Sequence, residues 1–205
     1  MILIVCALAH ELRHWAPRPH VEVLATGVGP VEAAIATSRA VAISPPSAIL
    51  SAGIAGGFRG RAEVGDAFAI ATDALAELGL EDGTPIPPLP GGAQLIGRVE
   101  SDPGLLEAAA SAGLRIGSAV TVATITTSAA RAGFLEERFD ADVEAMEGFA
   151  VLRSAAIAGI PAIELRAVSN LVGPRTGSGW DFDAGAKALA GALDRFLDVW
   201  GAGEI

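Results

Sequence analysis

MILIVCALAHELRHWAPRPH, residues 1–20, carries two incompatible readings. Its first nine residues form an unbroken apolar run, with the length and composition of a strand buried on both faces of a parallel sheet. The segment that follows, from His10 to His14, spells the zinc-protease pattern H-E-x-x-H, and His20 falls where a third ligand would complete H-E-x-x-H-x-x-G-x-x-H. One reading makes the segment a metal-bearing helix. The other makes it a strand whose carboxyl end presents Glu11.

Context favours the strand. A zinc protease places its two His one turn apart on a continuous helix, with the Glu between them to activate a metal-bound water. Here His10 follows a terminal strand with no scaffold before it. Pro17 stands where the three-His pattern needs a glycine to turn, and no Met lies between it and Met146 to form a Met-turn. Proline cannot reach positive φ. The histidines therefore read as surface groups at a helix start, and no metal is expected. Glu11 is a separate matter, because ligands of parallel α/β sheets collect at the carboxyl ends of strands and Glu11 sits just past the first. A solvated carboxylate favoured by a helix macrodipole would account for it equally well.

Further apolar runs follow as VEVLATG, AILSAG, DAFAIAT, SAVTVATIT and AIELRAVSN, giving six expected buried strands in all. Helix-like segments run from Pro30 to Val41, Pro103 to Ala112, Ser128 to Phe139, Met146 to Ala158 and Ala184 to Trp200, most with Ser, Asp or Pro near the start. This interleaving predicts an α/β fold, a three-layer α/β/α sandwich. Residues 80–92, LEDGTPIPPLPGG, hold four of the twelve prolines and read as an irregular surface loop.

Composition narrows the classes. With 205 residues, 51% hydrophobic and 19% charged, the chain fills one core and is short for two, so residues 1–205 are expected to form a single domain. No apolar run reaches the roughly 20 residues of a membrane span. The opening run lacks the basic start and the length of a secretory signal, and the one cysteine, Cys6, lies inside it. A soluble, cytoplasmic protein without disulfides is expected. The net charge of -10, from 14 Lys and Arg against 24 Asp and Glu, disfavours nucleic acid and anionic membranes as partners and leaves a small molecule. Many of the 25 glycines close the apolar runs, which suits pockets built from loops.

A second carboxylate stands out in VEAMEGFAVLRSAAIAGIP, residues 143–161. Its expected helix ends at Gly159 with Pro161 beyond, and from Glu147 to Arg153 it is apolar or small. A carboxylate buried there needs hydrogen-bond donors, and sugar hydroxyls are one supply. A plain helix N-terminal charge is the alternative. The loops ATGVGPVEAA and SAGIAGGFRG place glycines at strand ends, where backbone N–H groups can face a ligand, although neither is a G-x-G-x-x-G or a P-loop.

Taken in order from Cys6 to Asn170, CALAHEL, TGVGPVEAA, SAGIAGG, VEAMEG and RAVSN resemble the purine nucleoside phosphorylase and nucleosidase superfamily, on the side of the methylthioadenosine/S-adenosylhomocysteine nucleosidases. AMEGFAV, then ELRAVSNLVGPR and WD, look like one hydrolase branch of it. The resemblance implies a phosphorylase/hydrolase-like sandwich with a central mixed sheet. It implies cleavage of a purine nucleoside without cofactor or metal, by a homodimer or higher homo-oligomer whose neighbouring subunit closes the pocket around the 5′ substituent. By the same resemblance Glu11 matches the carboxylate that activates water, Glu147 the one that binds ribose hydroxyls, and Met146 a residue packed on the sugar. The purine would lie near Ala123 to Thr127, with Thr126 and Thr127 in contact, and against Phe149. Gly53, Ile54, Ala55 and Gly56, with the TGVGP loop, would form the back wall.

Asn170, preceded by Ser169, stands where the methylthioadenosine nucleosidases carry an Asp that protonates purine N7. An Asn amide offers a donor and an acceptor and can face the N7 and O6 of a 6-oxo purine, so hypoxanthine is favoured over adenine. An amide is a poor acid, so leaving-group activation would come from hydrogen bonding or water. A strand-end cap is the alternative role. Related phosphorylases carry an Arg before the glycine loop to grip phosphate; here that place is Ser51, with Arg59 and Arg61 later, and hydrolysis is preferred. Methylthioadenosine nucleosidase and phosphorylase activities stay open, as does a nucleoside-binding protein without turnover. Arg153, Arg166, Arg175 and the TGSGWDF segment are candidates for the 5′ substituent, and Arg166 equally for a buried ion pair with Glu164 or Asp142.

Overall fold

Strand β1 (Ile2–Cys6) enters the centre of the protein at once: it lies parallel between β2 (Val21–Ala25) and β3 (Ala48–Gly57), and Leu3 to Cys6 are buried. The computed structural model describes residues 1–82, 84, 86–174 and 179–201. Strands β4 (Ala67–Leu75), β5 (Arg98–Glu100), β6 (Arg115–Thr121), β7 (Val143–Ala145) and β8 (Ala162–Leu171) complete a mixed sheet of eight. Its order is β2-β1-β3-β7-β6-β4-β5, and β8 bridges back from β3 to β4. That bridge closes β3, β8, β4, β6 and β7 into a ring, with antiparallel pairing at β3–β7 and β4–β8 and parallel pairing elsewhere.

All six expected strands are present. Two more, β5 and β7, have three residues each, too few to show as apolar runs. The expectation of uniform burial fails at β2, an edge strand with Val23 43% exposed, because only β1 flanks it. The α-helices among the described residues are α1 (Pro30–Ile43), α2 (Pro103–Ser111), α3 (Ala129–Phe139), α4 (Gly148–Ala158) and α5 (Phe182–Gly201). The expected start of α4 at Met146 is two residues early, since Met146 and Glu147 lie in the turn that leads from β7. Its end is as expected, with Gly159 in the left-handed conformation at φ 69°.

Helices cover both faces of the sheet, which is the α/β/α layering. On one side α5 lays Ala186, Leu189, Leu193 and Phe196, spaced along one helical face and fully buried, against β8 and β3, with α2 beside it. On the other side α4 packs with α1 over Leu3, Val5 and Ile49. Among the described residues no helix is long and apolar enough to cross a membrane. The carboxyl ends of β1, β3 and β8 and the turn after β7 converge at one end of the sheet.

Candidate active site

The H-E-x-x-H segment does not form a helix of the zinc-protease kind. Residues Ala9–Leu12 make a single 3-10 turn, His14 lies beyond it with Nε2 2.8 Å from Asp183 Oδ1, and His10 is exposed. Among the described residues no three His, Cys, Asp or Glu side chains are grouped to hold a metal ion. The same turn carries Glu11 inward, to 8% exposure. Its Oε2 accepts from Leu8 N at 2.9 Å and its Oε1 from Ile54 N at 3.0 Å. Each oxygen thus spends one lone pair on backbone and keeps another in a fixed direction.

Gly53 makes this approach possible. A Cβ at that position would overlap Arg166 Nη1 and lie 3.1 Å from Glu11 Oε1. Beneath the site, Arg166 on β8 is 2% exposed, and its Nε donates to Glu164 Oε1 at 2.7 Å and its Nη2 to Ser51 Oγ at 3.3 Å. Its Nη1 is 3.8 Å from Glu147 Oε2. Burial opposes the guanidinium charge, but Glu164 and Glu147 outweigh it and hold Arg166 protonated above its ordinary range. Of the two expected partners Glu164 is the one used; Asp142 instead accepts from Ser118 N at 2.9 Å. Ser51, in the place of a phosphate-gripping Arg, is committed to Arg166.

Glu147 sits at the N-cap position of α4 but does not cap it. Its Oε1 accepts from Gly29 N at 2.9 Å, where Gly29 has φ 101°, a conformation that glycine adopts without strain. The TGVGP loop is thereby tied to the turn after β7. Burial raises the pKa of Glu147, with Arg166 and the Gly29 N–H pulling the other way. A buried acid in that balance binds donors readily.

At the opposite end stands Asn170. Its Oδ1 accepts from Ser169 Oγ at 3.0 Å and its Nδ2 donates to Leu171 O at 3.3 Å, which fixes the amide orientation and leaves one N–H free. Gly56 lies under it, where a Cβ would come 3.2 Å from Nδ2. Nearby, Thr126 N donates to Glu144 Oε1 at 3.0 Å, and Glu144 Oε2 has no donor among the described residues. Burial pushes the Glu144 carboxyl above its usual range.

These groups share a cavity of about 530 Å³, the size of a site for a nucleoside with a substituent. Of the residues singled out from sequence, Glu11, Ile54, Ala55, Gly56, Met146, Glu147, Ser169 and Asn170 line it. Gly53 does not, because its role is to let Arg166 and Glu11 approach. Phe149 does not either: it lies in the first turn of α4, 7% exposed, among the core residues under α1. Thr126 faces a smaller cavity of about 250 Å³ that adjoins at Asn170, and Thr127 is exposed outside both.

Val28 of the TGVGP loop and Ile125 of the 123–127 stretch line the cavity, as the resemblance implied. Leu8 and Glu144 lie within CALAHEL and VEAMEG but were not singled out as wall residues. Arg13 also lines the cavity, its Nη2 3.1 Å from Asp183 Oδ1. Among the candidates for the 5′ substituent, Arg153 lies on α4 away from the cavity and Arg166 is beneath it. Arg175 and residues 176–178 of TGSGWDF fall outside the described residues. Trp180 and Phe182 do line the cavity, their rings edge to face at 4.9 Å.

Two anchored carboxylates and an amide thus line one cavity, and the chain as a whole has counterparts among known proteins. The model of the phosphorylase superfamily matches residues 12–198. Futalosine hydrolase of Streptomyces coelicolor is 40% identical over 187 residues, 87% of this chain and 79% of the relative. That of Thermus thermophilus is 34% identical over 181 residues, 85% and 80% of the two chains. Among solved structures, futalosine hydrolase of Helicobacter pylori superposes with a TM-score of 0.81 at 20% identity, covering 96% of this chain and 97% of the other. A methylthioadenosine/S-adenosylhomocysteine nucleosidase from Neisseria meningitidis, solved with methylthio-immucillin-A, gives 0.80 at 19%, covering 96% and 97%. By its matched length and these identities, the chain belongs to the phosphorylase superfamily and, within it, to the futalosine hydrolases.

Proposed function

We propose that the protein hydrolyses the N-glycosidic bond of futalosine, releasing hypoxanthine and dehypoxanthine futalosine as a step of menaquinone biosynthesis. The observation that carries this reading is that Glu11, Glu147 and Asn170 line one cavity. Glu11 takes a proton from a water and directs it at C1′, its carboxylate held by Leu8 N and Ile54 N. Glu147 accepts from the ribose 2′ and 3′ hydroxyls, and Met146 packs on the sugar. As the base departs, the ribose ring passes through an oxocarbenium-like state, as in glycosyl transfer generally. Asn170 donates its free amide N–H to the hypoxanthine on which negative charge develops, with Ser169 fixing its orientation.

The commitment of Ser51 to Arg166 favours water over phosphate as nucleophile. The reading is tested by base release from futalosine, inosine and methylthioadenosine, each with and without phosphate and with a chelator in one arm. Hypoxanthine from futalosine, indifferent to phosphate and chelator, is the expected result. Adenine from methylthioadenosine alone would overturn it. Asn170→Asp should move the ratio of kcat/KM for methylthioadenosine over futalosine upward by about tenfold or more, the worth of one or two hydrogen bonds. An unchanged ratio would remove Asn170 from base recognition.

The working form is a cytoplasmic homo-oligomer. Leu8 and Val28, 51% and 53% exposed on the cavity wall, adjoin Val31 and Ile35 of α1, 66% and 60% exposed, and a second copy laid there would shield them and close the site. Light scattering behind size exclusion should give a multiple of 20.6 kDa, and a fully active monomer would refute the oligomer.

A further inference from the structure

We propose that Asp73 and Glu164 form a carboxyl–carboxylate pair that holds one proton between them and fixes the Arg166 guanidinium against Glu147, so that both are positioning residues for the cleavage. The inference rests on the function proposed above for its catalytic consequence, and on geometry alone for the shared proton.

Both side chains are 0% exposed. They approach from different strands, β4 and β8, and meet where α4 begins: a Cβ added to Gly148 would overlap Asp73 Oδ2 and Glu164 Oε1 together. The two carboxyls therefore occupy the space of one missing side chain. Glu164 Oε1 takes the Nε proton of Arg166 at 2.7 Å, and Asp73 Oδ2 takes the Thr121 hydroxyl at 2.7 Å, whose oxygen in turn accepts from Phe149 N at 2.9 Å. Asp73 Oδ1 and Glu164 Oε2 have no donor among the described residues. Two carboxylates so close and so dry cannot both be ionised. A single proton held by the pair removes one of the two negative charges and gives the pair a donor of its own.

The charged group facing the pair is Arg166 from β8, which in turn faces Glu147 from the turn before α4 and Glu11 from the 3-10 turn. Hydroxyls come from Thr121 on β6 and from Ser101 after β5, whose Oγ accepts from Glu164 N at 3.3 Å. Four carboxyl groups thus surround one guanidinium. A proton kept on the pair lets Glu164 hold Arg166 by one edge while the other edge stays with Glu147. Burial and the neighbouring Glu164 push Asp73 well above the ordinary range, consistent with Asp73 as the proton's main residence.

The roles separate by substitution. Asp73→Asn keeps the shape and neutrality of a protonated acid, whereas Glu164→Gln removes the negative charge on Arg166. Asp73→Asn should retain a kcat about tenfold or more above that of Glu164→Gln, and Glu164→Gln should shift the acid limb of its pH profile by weakening the hold on Arg166 and so on Glu147. Equal losses in both variants, with parental pH profiles, would overturn the positioning role. The proton itself is read without substrate: the infrared carbonyl stretch of a buried carboxylic acid should persist at neutral pH in the parent and vanish in Asp73→Asn. Its absence from the parent would overturn the pair even if neither variant folded well. Since the unfolded chain releases that proton above an ordinary Asp pKa near 3.8, the parent should lose stability as pH rises from there to the folded-state pKa. Asp73→Asn should lack that decline, and the same slope in both would count against the pair. A parent that shows the infrared band but releases no hypoxanthine would defeat the proposed function and leave the pair standing.

Discussion

Glu11→Gln is expected to lower kcat for hypoxanthine release by about 10²–10⁴, the usual weight of a general base. The substitution keeps volume and removes the ability to take a proton. It also disturbs the anchoring, because both carboxylate oxygens now accept from backbone N–H groups, Leu8 at 2.9 Å and Ile54 at 3.0 Å. An amide has one oxygen for two donors, so one N–H must face an NH₂ group. Binding of hypoxanthine should be preserved, since its end of the cavity is formed by other strands. Initial rates with circular dichroism as a folding control decide the matter, and a kcat within about threefold of the parent would refute the role.

Arg166→Met should lower stability by about 3–5 kcal/mol, the cost of stripping one partner from a buried charge network. Glu164 and Glu147 would lose their cation, and Ser51 its donor. For a chain of this size the loss corresponds to a fall in Tm of roughly 6–20 °C. Arg18 supplies the contrast. It pairs with Asp194 and Asp198, whose side chains are 48% and 67% exposed, so Arg18→Met should stay within about 1 kcal/mol. Calorimetry on both variants compares them directly, and equal shifts would mean that burial of the Arg166 network contributes nothing.

The strands with runs of five or more apolar residues were legible because burial on two faces leaves an uninterrupted signature. β5 and β7 were not, since three residues carry no period and both exist only because a neighbouring strand offers an edge. The ring closed by β8 was equally invisible, being a property of pairing rather than of pattern. For the site, Glu11 and Glu147 drew notice at the ends of a readable strand and helix, whereas Asn170 was singled out only by the resemblance of RAVSN to the superfamily. Phe149 was set against the base by resemblance alone, and the structure puts it in the first turn of α4 among the core residues instead. Asp73 escaped notice, and Glu164 was read only as a partner of Arg166, because single acids inside apolar runs read as breaks in a strand, and only the space left by Gly148 shows that they meet. Their proximity joins residues 91 positions apart in sequence.

The pairing of β3 with β8 slips between Ala55 and Gly56: Ala55 faces Val168, but Gly56 faces Asn170, so Ser169 is the extra residue. Residues 162–169 are all buried, whereas Asn170 and Leu171 beyond the slip are only half-buried. The side chain proposed to meet the base therefore stands outside the stretch whose packing holds the sheet together. Preference for one purine over another can consequently drift in a lineage, or be redesigned at the bench, by exchanging residue 170 alone, without repacking the interior.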